Sequence, residues 1–113
     1  MSDNRFPKEN RLVGGRDFSR VYERGLRLDE GFFVFYLLEK EESQPRIGIV
    51  TPKYLGCAVT RNRIKRIIRE NFRKNKEVFG GIDFIVRPKK SARHLTNVEL
   101  AKKFLNDFQT SRD

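Results

Sequence analysis

The chain has 113 residues with one cysteine, one histidine, 10 phenylalanines and a formal charge of +10. A length of this order supports one folded core, and the single Cys57 and His94 exclude an intrachain disulfide, a Cys/His zinc cage and a paired-histidine metal centre. No apolar run approaches the roughly 20 residues of a membrane helix and the first 18 residues lack a signal-peptide core, so the sequence predicts a cytoplasmic protein with no membrane partner.

In chain order, residues 1–8 read as a polar arm, with Phe6-Pro7 extended because proline disfavours a helical residue before it. After Gly14-Gly15, Arg16 to Arg24 reads as a short helix with Phe18, Val21 and Tyr22 on one side and Gly25 as its stop. The run Gly31 to Glu39, GFFVFYLLE, is apolar throughout and suits a strand covered on both faces. Phe33, Phe35 and Leu37 share one face, and Phe32, Val34, Tyr36 and Leu38 the other. Lys40 to Pro45 then reads as a hairpin loop and Arg46 to Thr51 as the returning strand, ended by Pro52.

Lys53 to Val59 is a connection, and Thr60 is the expected N-cap of a helix running to about Asn75. Ile64, Ile67, Ile68 and Phe72 form its core stripe. Gly80-Gly81 breaks the chain, Ile82 to Arg87 is a strand, and Pro88 to Arg93 is a basic loop containing no carboxylate. The last helix begins at Thr96, whose spacing to Glu99 matches a capping box, with Val98, Ala101, Phe104, Leu105 and Phe108 turned to the core. The expected fold is α/β, a sheet of about four strands with three helices, forming one domain over residues 1–113.

Charge is placed unevenly. Residues 1–50 carry nine Lys/Arg against nine Asp/Glu and residues 94–113 three against three, so the whole +10 lies in residues 51–93. A solubility surface mixes its signs, whereas concentrating one sign costs self-repulsion and points to an anionic partner such as nucleic acid. On a helical wheel centred on Ile64, Asn62, Arg66, Arg69 and Arg73 fall about 140 to 200 degrees away, opposite the core stripe. Arg61 and Arg63 fall in the expected first turn, where cations oppose the helix dipole, and a phosphate bound to the free N–H groups would relieve that conflict. A solvated basic face is the plain alternative.

The segment AVTRNRIKRIIRENFR, Ala58 to Arg73, closely resembles the signature of the bacterial ribonuclease P protein component family. The likeness extends to Phe6 through Leu12, Asp17-Phe18 with Val21-Tyr22 and Gly25, Phe33 to Tyr36, Arg46 to Ile49, and Lys53 with Gly56. It implies a two-layer sandwich like the second domain of ribosomal protein S5, with a left-handed β-α-β crossover. It also implies a subunit that binds the catalytic RNA of ribonuclease P and the single-stranded 5′ leader of precursor tRNA. The leader is then removed by the RNA with its own Mg²⁺.

Carried onto this chain, the resemblance assigns Arg61, Asn62, Arg63, Lys65, Arg66 and Arg69 to the catalytic RNA, and the wheel adds Arg73. It assigns Phe18, Tyr22 and Tyr36, with Arg46 and Lys53 nearby, to the leader cleft. Periodicity alone favours core packing for these aromatics, and only the resemblance turns them toward a cleft. Tyr54 stands where the family commonly has a second lysine and could stack or pack, while Cys57 is expected to be a small packing residue and His94 a loop residue. The carboxylates cluster only at Glu39 to Glu42 and His94 has no partner, so no catalytic residue or metal ligand is expected on this chain. As a separate expectation, the partners are the catalytic RNA and precursor tRNA, with no obligate protein partner.

Overall fold

In the computed structural model, residues 10–40 and 44–112 are described. Helix α1 spans Gly14–Arg24, and strands β1 (Leu26–Glu30), β2 (Phe33–Glu39) and β3 (Arg46–Ile49) follow. A 3₁₀ turn at Lys53–Leu55 leads into the long helix α2 (Ala58–Lys74) and the single turn α3 (Lys76–Phe79). Strand β4 (Ile82–Pro88), a second 3₁₀ turn at Lys90–His94 and helix α4 (Asn97–Arg112) complete the order. The architecture is the expected α/β one; the arm read over residues 1–8 lies outside the described residues.

The four strands form a mixed sheet in the order β1-β2-β4-β3. β1 and β2 pair antiparallel, β4 pairs antiparallel with β2, and β3 lies parallel to β4. This corrects two expectations. Leu26–Glu30, unassigned in the sequence reading, is a strand, and it makes the hairpin with β2 across Gly31-Phe32. Lys40 to Pro45 is therefore no hairpin loop, because β4 bonds to both β2 and β3 and separates them. A local turn signature at residues 40–45 carried no information about a strand arriving some 40 residues later.

The larger core lies between the sheet and helices α2 and α4. Phe33, Phe35, Phe72, Phe79, Phe84, Phe104 and Phe108 are fully buried there with Ile64, Ile68 and Leu100. Several of the rings pack edge-on, as at Phe35 and Phe108 with centroids 5.6 Å apart, an arrangement aromatic quadrupoles favour, while Phe79 stacks on Phe84 at 5.1 Å. The expected α2 stripe of Ile64, Ile67, Ile68 and Phe72 is buried throughout. In α4 the phase is shifted: Val98 is 64% exposed, and Leu100 takes the core position in line with Phe104 and Phe108. Thr96 and Glu99 do form the capping box, with the Glu99 N–H donating to Thr96 Oγ1 at 3.1 Å and the Thr96 N–H donating to Glu99 Oε1 at 2.9 Å.

Helix α1 covers part of the opposite face of the sheet, where Leu12, Val21 and Ile85 are buried and Phe18, Tyr36, Leu38 and Val50 pack around them. Both faces of β2 are thus covered along much of its length, which is why its sequence does not alternate. Beyond β3 the chain at Arg11 forms a parallel bridge to Ile47, and the Leu12 N–H donates to the Ile47 carbonyl at 3.1 Å. That segment seats the start of α1 beside the edge strand.

Candidate nucleic-acid interface

Helix α2 begins at Ala58 with Cys57 as its N-cap, not at Thr60. The earlier start moves Arg61 to the fourth helical position and Arg63 to the sixth, so the expected first-turn dipole conflict is weaker than the sequence suggested. The two arginines also diverge. Arg61 Nε donates to the Thr51 carbonyl at 3.0 Å, whereas Arg63 donates to Asn97 Oδ1 at 2.7 Å at the start of α4. They do not converge on one anion. Cys57 is exposed rather than packed, its Sγ 3.7 Å from Thr60 Oγ1. Its thiol is held below the ordinary value, first by the Thr60 backbone amide and then by the Thr60 hydroxyl.

Asn62, Arg66 and Arg69 are exposed along α2, with Lys65 and Arg73 half-buried beside them. No ion pair joins Arg61, Arg63, Lys65, Arg66, Arg69 or Arg73 to a carboxylate among the described residues; every pair found lies elsewhere. The strip is a stretch of guanidinium and ammonium groups with its charge uncompensated by protein.

The aromatic group sits across the sheet edge from this strip. Tyr22 of α1 and Tyr36 of β2 meet edge to face with centroids 4.8 Å apart, and Tyr22 is 40% exposed. Burial pushes the Tyr22 phenol up, partly offset by the charge of Arg87. Arg27 Nε donates to the Tyr36 hydroxyl at 3.3 Å, and the Arg87 guanidinium carbon is 5.9 Å from the Tyr36 ring centre. Phe18 lies instead over β3, against Gly48. A groove of about 170 Å³ there is lined by Arg11, Phe18, Gly48, Ile49, Lys65 and Arg69. Phe18 therefore joins the aromatic group to the basic strip.

Arg46 lies between α1 and the sheet, held in a cluster of ion pairs. Its guanidinium donates to both carboxylate oxygens of Asp83, from Nε at 3.0 Å and from an Nη at 2.7 Å, and its other Nη donates to Asp17 at 3.3 Å. Arg20 and Lys40 pair with the same Asp83, at 2.7 and 2.5 Å. Burial of Asp83 pushes its pKa up, but the hydrogen bonds from Arg46 and Lys40 outweigh this and hold it below the ordinary value. Arg46 thus clamps α1 to the sheet. Lys53 is exposed in the 3₁₀ turn, and the neighbouring Tyr54 is also exposed, at 41%, with its hydroxyl tethered by donation to the Pro88 carbonyl at 2.6 Å.

Sequence reasoning missed Asp83, Arg87 and Arg27. The signal was present for the first two: Asp83, Ile85 and Arg87 fall on one face of an otherwise apolar strand, an unusual place for two charges.

Comparison with known proteins agrees with this architecture. A family model described as Ribonuclease P matches residues 6–111. The Ribonuclease P protein component of Staphylococcus haemolyticus is 41% identical over 93 residues, covering 82% of each chain. A solved structure of the RNase P protein from Staphylococcus aureus superposes with a TM-score of 0.85 at 33% identity, covering 93% of this chain and 97% of that one. The RNase P protein from Thermotoga maritima gives 0.73 at 33% identity over 80% and 87%. With its basic α2 strip, its aromatic group under α1 and these matches over nearly its full length, the chain belongs to the ribonuclease P protein component family.

Proposed function

We propose that this chain is the RNA-binding subunit that holds precursor tRNA against the catalytic RNA of ribonuclease P during removal of the 5′ leader. The α2 strip, Arg61 to Arg73, faces the catalytic RNA, and Phe18, Tyr22 and Tyr36 form the platform on which single-stranded leader bases stack. Lys53 adds a cation at its margin, and Arg46 contributes by fixing α1 rather than by touching RNA. The observation that carries this reading is the groove at the edge of β3, where Phe18 stands beside Lys65 and Arg69. One continuous surface there offers a ring for a base and cations for its phosphates.

The bond-breaking step belongs to the RNA and its bound Mg²⁺. Asp17 and Asp83 are already paired with Arg46, Lys40 and Arg20. The protein's part is electrostatic and positional: it neutralises phosphates that would otherwise repel two RNAs, and it immobilises the leader.

The test is a reconstitution. Protein, catalytic RNA and Mg²⁺ should cleave precursor tRNA at low salt faster than RNA alone, and the protein should tighten binding of leader-bearing precursor more than of mature tRNA. Cleavage by protein without the RNA, or equal effects on both substrates, overturns the proposal.

A further inference from the structure

On the α1 face of the sheet, cations are matched to carboxylates one after another. Arg20, Lys40 and Arg46 share Asp83, Arg27 lies 3.9 Å from Asp29, and Lys89 pairs with Asp29 as well. Arg87 differs. It sits on this face opposite Val34, and among the described residues no carboxylate lies within ion-pair distance of it; Asp29, across β2, feels its charge but is itself taken up by Lys89 and Arg27. What it rests against is the Tyr36 ring, at 5.9 Å. That separation is near the outer limit of about 6 Å for a cation–π contact, so the guanidinium is held loosely.

The surroundings define what could use this charge. Tyr36 is braced by Tyr22 through an edge-to-face contact and by Arg27 through its hydroxyl. The ring is therefore braced on two sides, while the cation beside it has no ion pair within 4 Å among the described residues. A half-buried guanidinium next to a braced pair of aromatic rings suits an anion that is covalently tied to a flat aromatic group. A phosphodiester in single-stranded RNA has that form, and guanidinium binds it through paired hydrogen bonds.

We propose that Arg87 is the phosphate anchor of this cleft, exchanging its contact with Tyr36 for a leader phosphodiester as a base settles on the tyrosine pair. The inference rests on the leader-cleft reading above and adds to it a residue on β4 that neither the α2 strip nor the aromatic group contains.

The test uses the full chain assembled with the catalytic RNA and a series of precursor tRNAs in which single leader linkages are replaced by uncharged methylphosphonate. Wild-type protein should lose about 5-fold in affinity at one linkage. Arg87→Met should bind the native leader about 5-fold more weakly, show no further loss at that linkage, and reduce the salt slope by about 0.7. Arg87→Lys, which keeps the charge, should recover part of the linkage sensitivity. Binding of the catalytic RNA alone should be unchanged in all three, which separates the effect from misfolding. If Arg87→Met keeps both the affinity and the linkage sensitivity of wild type, the anchor is refuted while the cleft stands. If the wild-type protein itself does not distinguish leader-bearing from leaderless RNA, the cleft reading fails and the anchor falls with it.

Discussion

The ring of Phe18 lies directly on the backbone of Gly48: a Cβ at that position would stand 2.6 Å from Phe18 Cζ and 3.1 Å from a methyl carbon of Leu12. The glycine is there for close approach rather than for an unusual backbone angle. Gly48→Ala should push Phe18 off β3 and destabilise the fold by about 1 to 3 kcal/mol, the usual cost of overpacking. Thermal unfolding measures that loss. The same variant should bind leader-bearing precursor more weakly while retaining the catalytic RNA, and unchanged discrimination would show that Phe18 does not need its seat.

Asp83 is 1% exposed and carries the charge that balances Arg46, Lys40 and part of Arg20. Asp83→Asn leaves that group of cations facing one another, and by analogy with broken buried pairs it should cost about 3 kcal/mol in urea unfolding. The pH dependence has a definite sign. A carboxyl with a depressed folded pKa contributes stability that is present above its unfolded value of about 3.9 and is lost as pH falls through the lower folded value. Melting temperature between pH 5 and 2 should therefore fall steeply in wild type and less steeply in Asp83→Asn. Parallel curves would rule out Asp83 as a major acid-sensitive group.

For the α2 strip, about five neutralised phosphates on irregular RNA give a salt slope of roughly −3.5 for log affinity against log salt. Arg69→Met, at the groove, and Arg66→Met, on the exposed face, should each reduce the slope by about 0.7, whereas Lys102→Met on α4 should leave it unchanged. Filter binding of the catalytic RNA across a salt series measures all three. A near-zero wild-type slope contradicts phosphate neutralisation altogether.

The capping box at Thr96 serves two elements, because Asn97 beside it accepts the Arg63 hydrogen bond at 2.7 Å. Thr96→Ala should cost about 1 kcal/mol of stability. Amide exchange should quicken in the first turn of α4 and leave β4 unaffected. Equal exchange in both would show that the cap does not act locally.

What the sequence revealed and what it concealed divide along physical lines. The α2 stripe from Ile64 to Phe72 and the Thr96–Glu99 box depend on residues three or four apart, so their spacing is visible directly. Strand β1 was hidden because LRLDE is short and polar and lies at the edge of the sheet, where hydrophobic pressure is weakest. The partner of Arg46 was hidden because Asp83 is 37 residues away, and nothing local distinguishes a cation that clamps from one that binds RNA. Tyr54 is tethered by its hydroxyl to the Pro88 carbonyl, 34 residues away, while the residue stays exposed. For Phe18, Tyr22 and Tyr36 the pattern allowed both a core and a cleft, and the structure places them between: packed on the sheet yet partly open to solvent.

The position of β4 between β2 and β3 also governs the order in which a chain leaving the ribosome can become a binding protein. Until residues 82–88 have emerged, β1 and β2 are the only strands among the described residues able to pair with each other, and a lone hairpin is marginal in water. The basic helix is synthesised before the floor it needs, so a nascent chain carries its cations on an unanchored segment. The core beneath the basic helix therefore closes only after β4 and then α4 have been made.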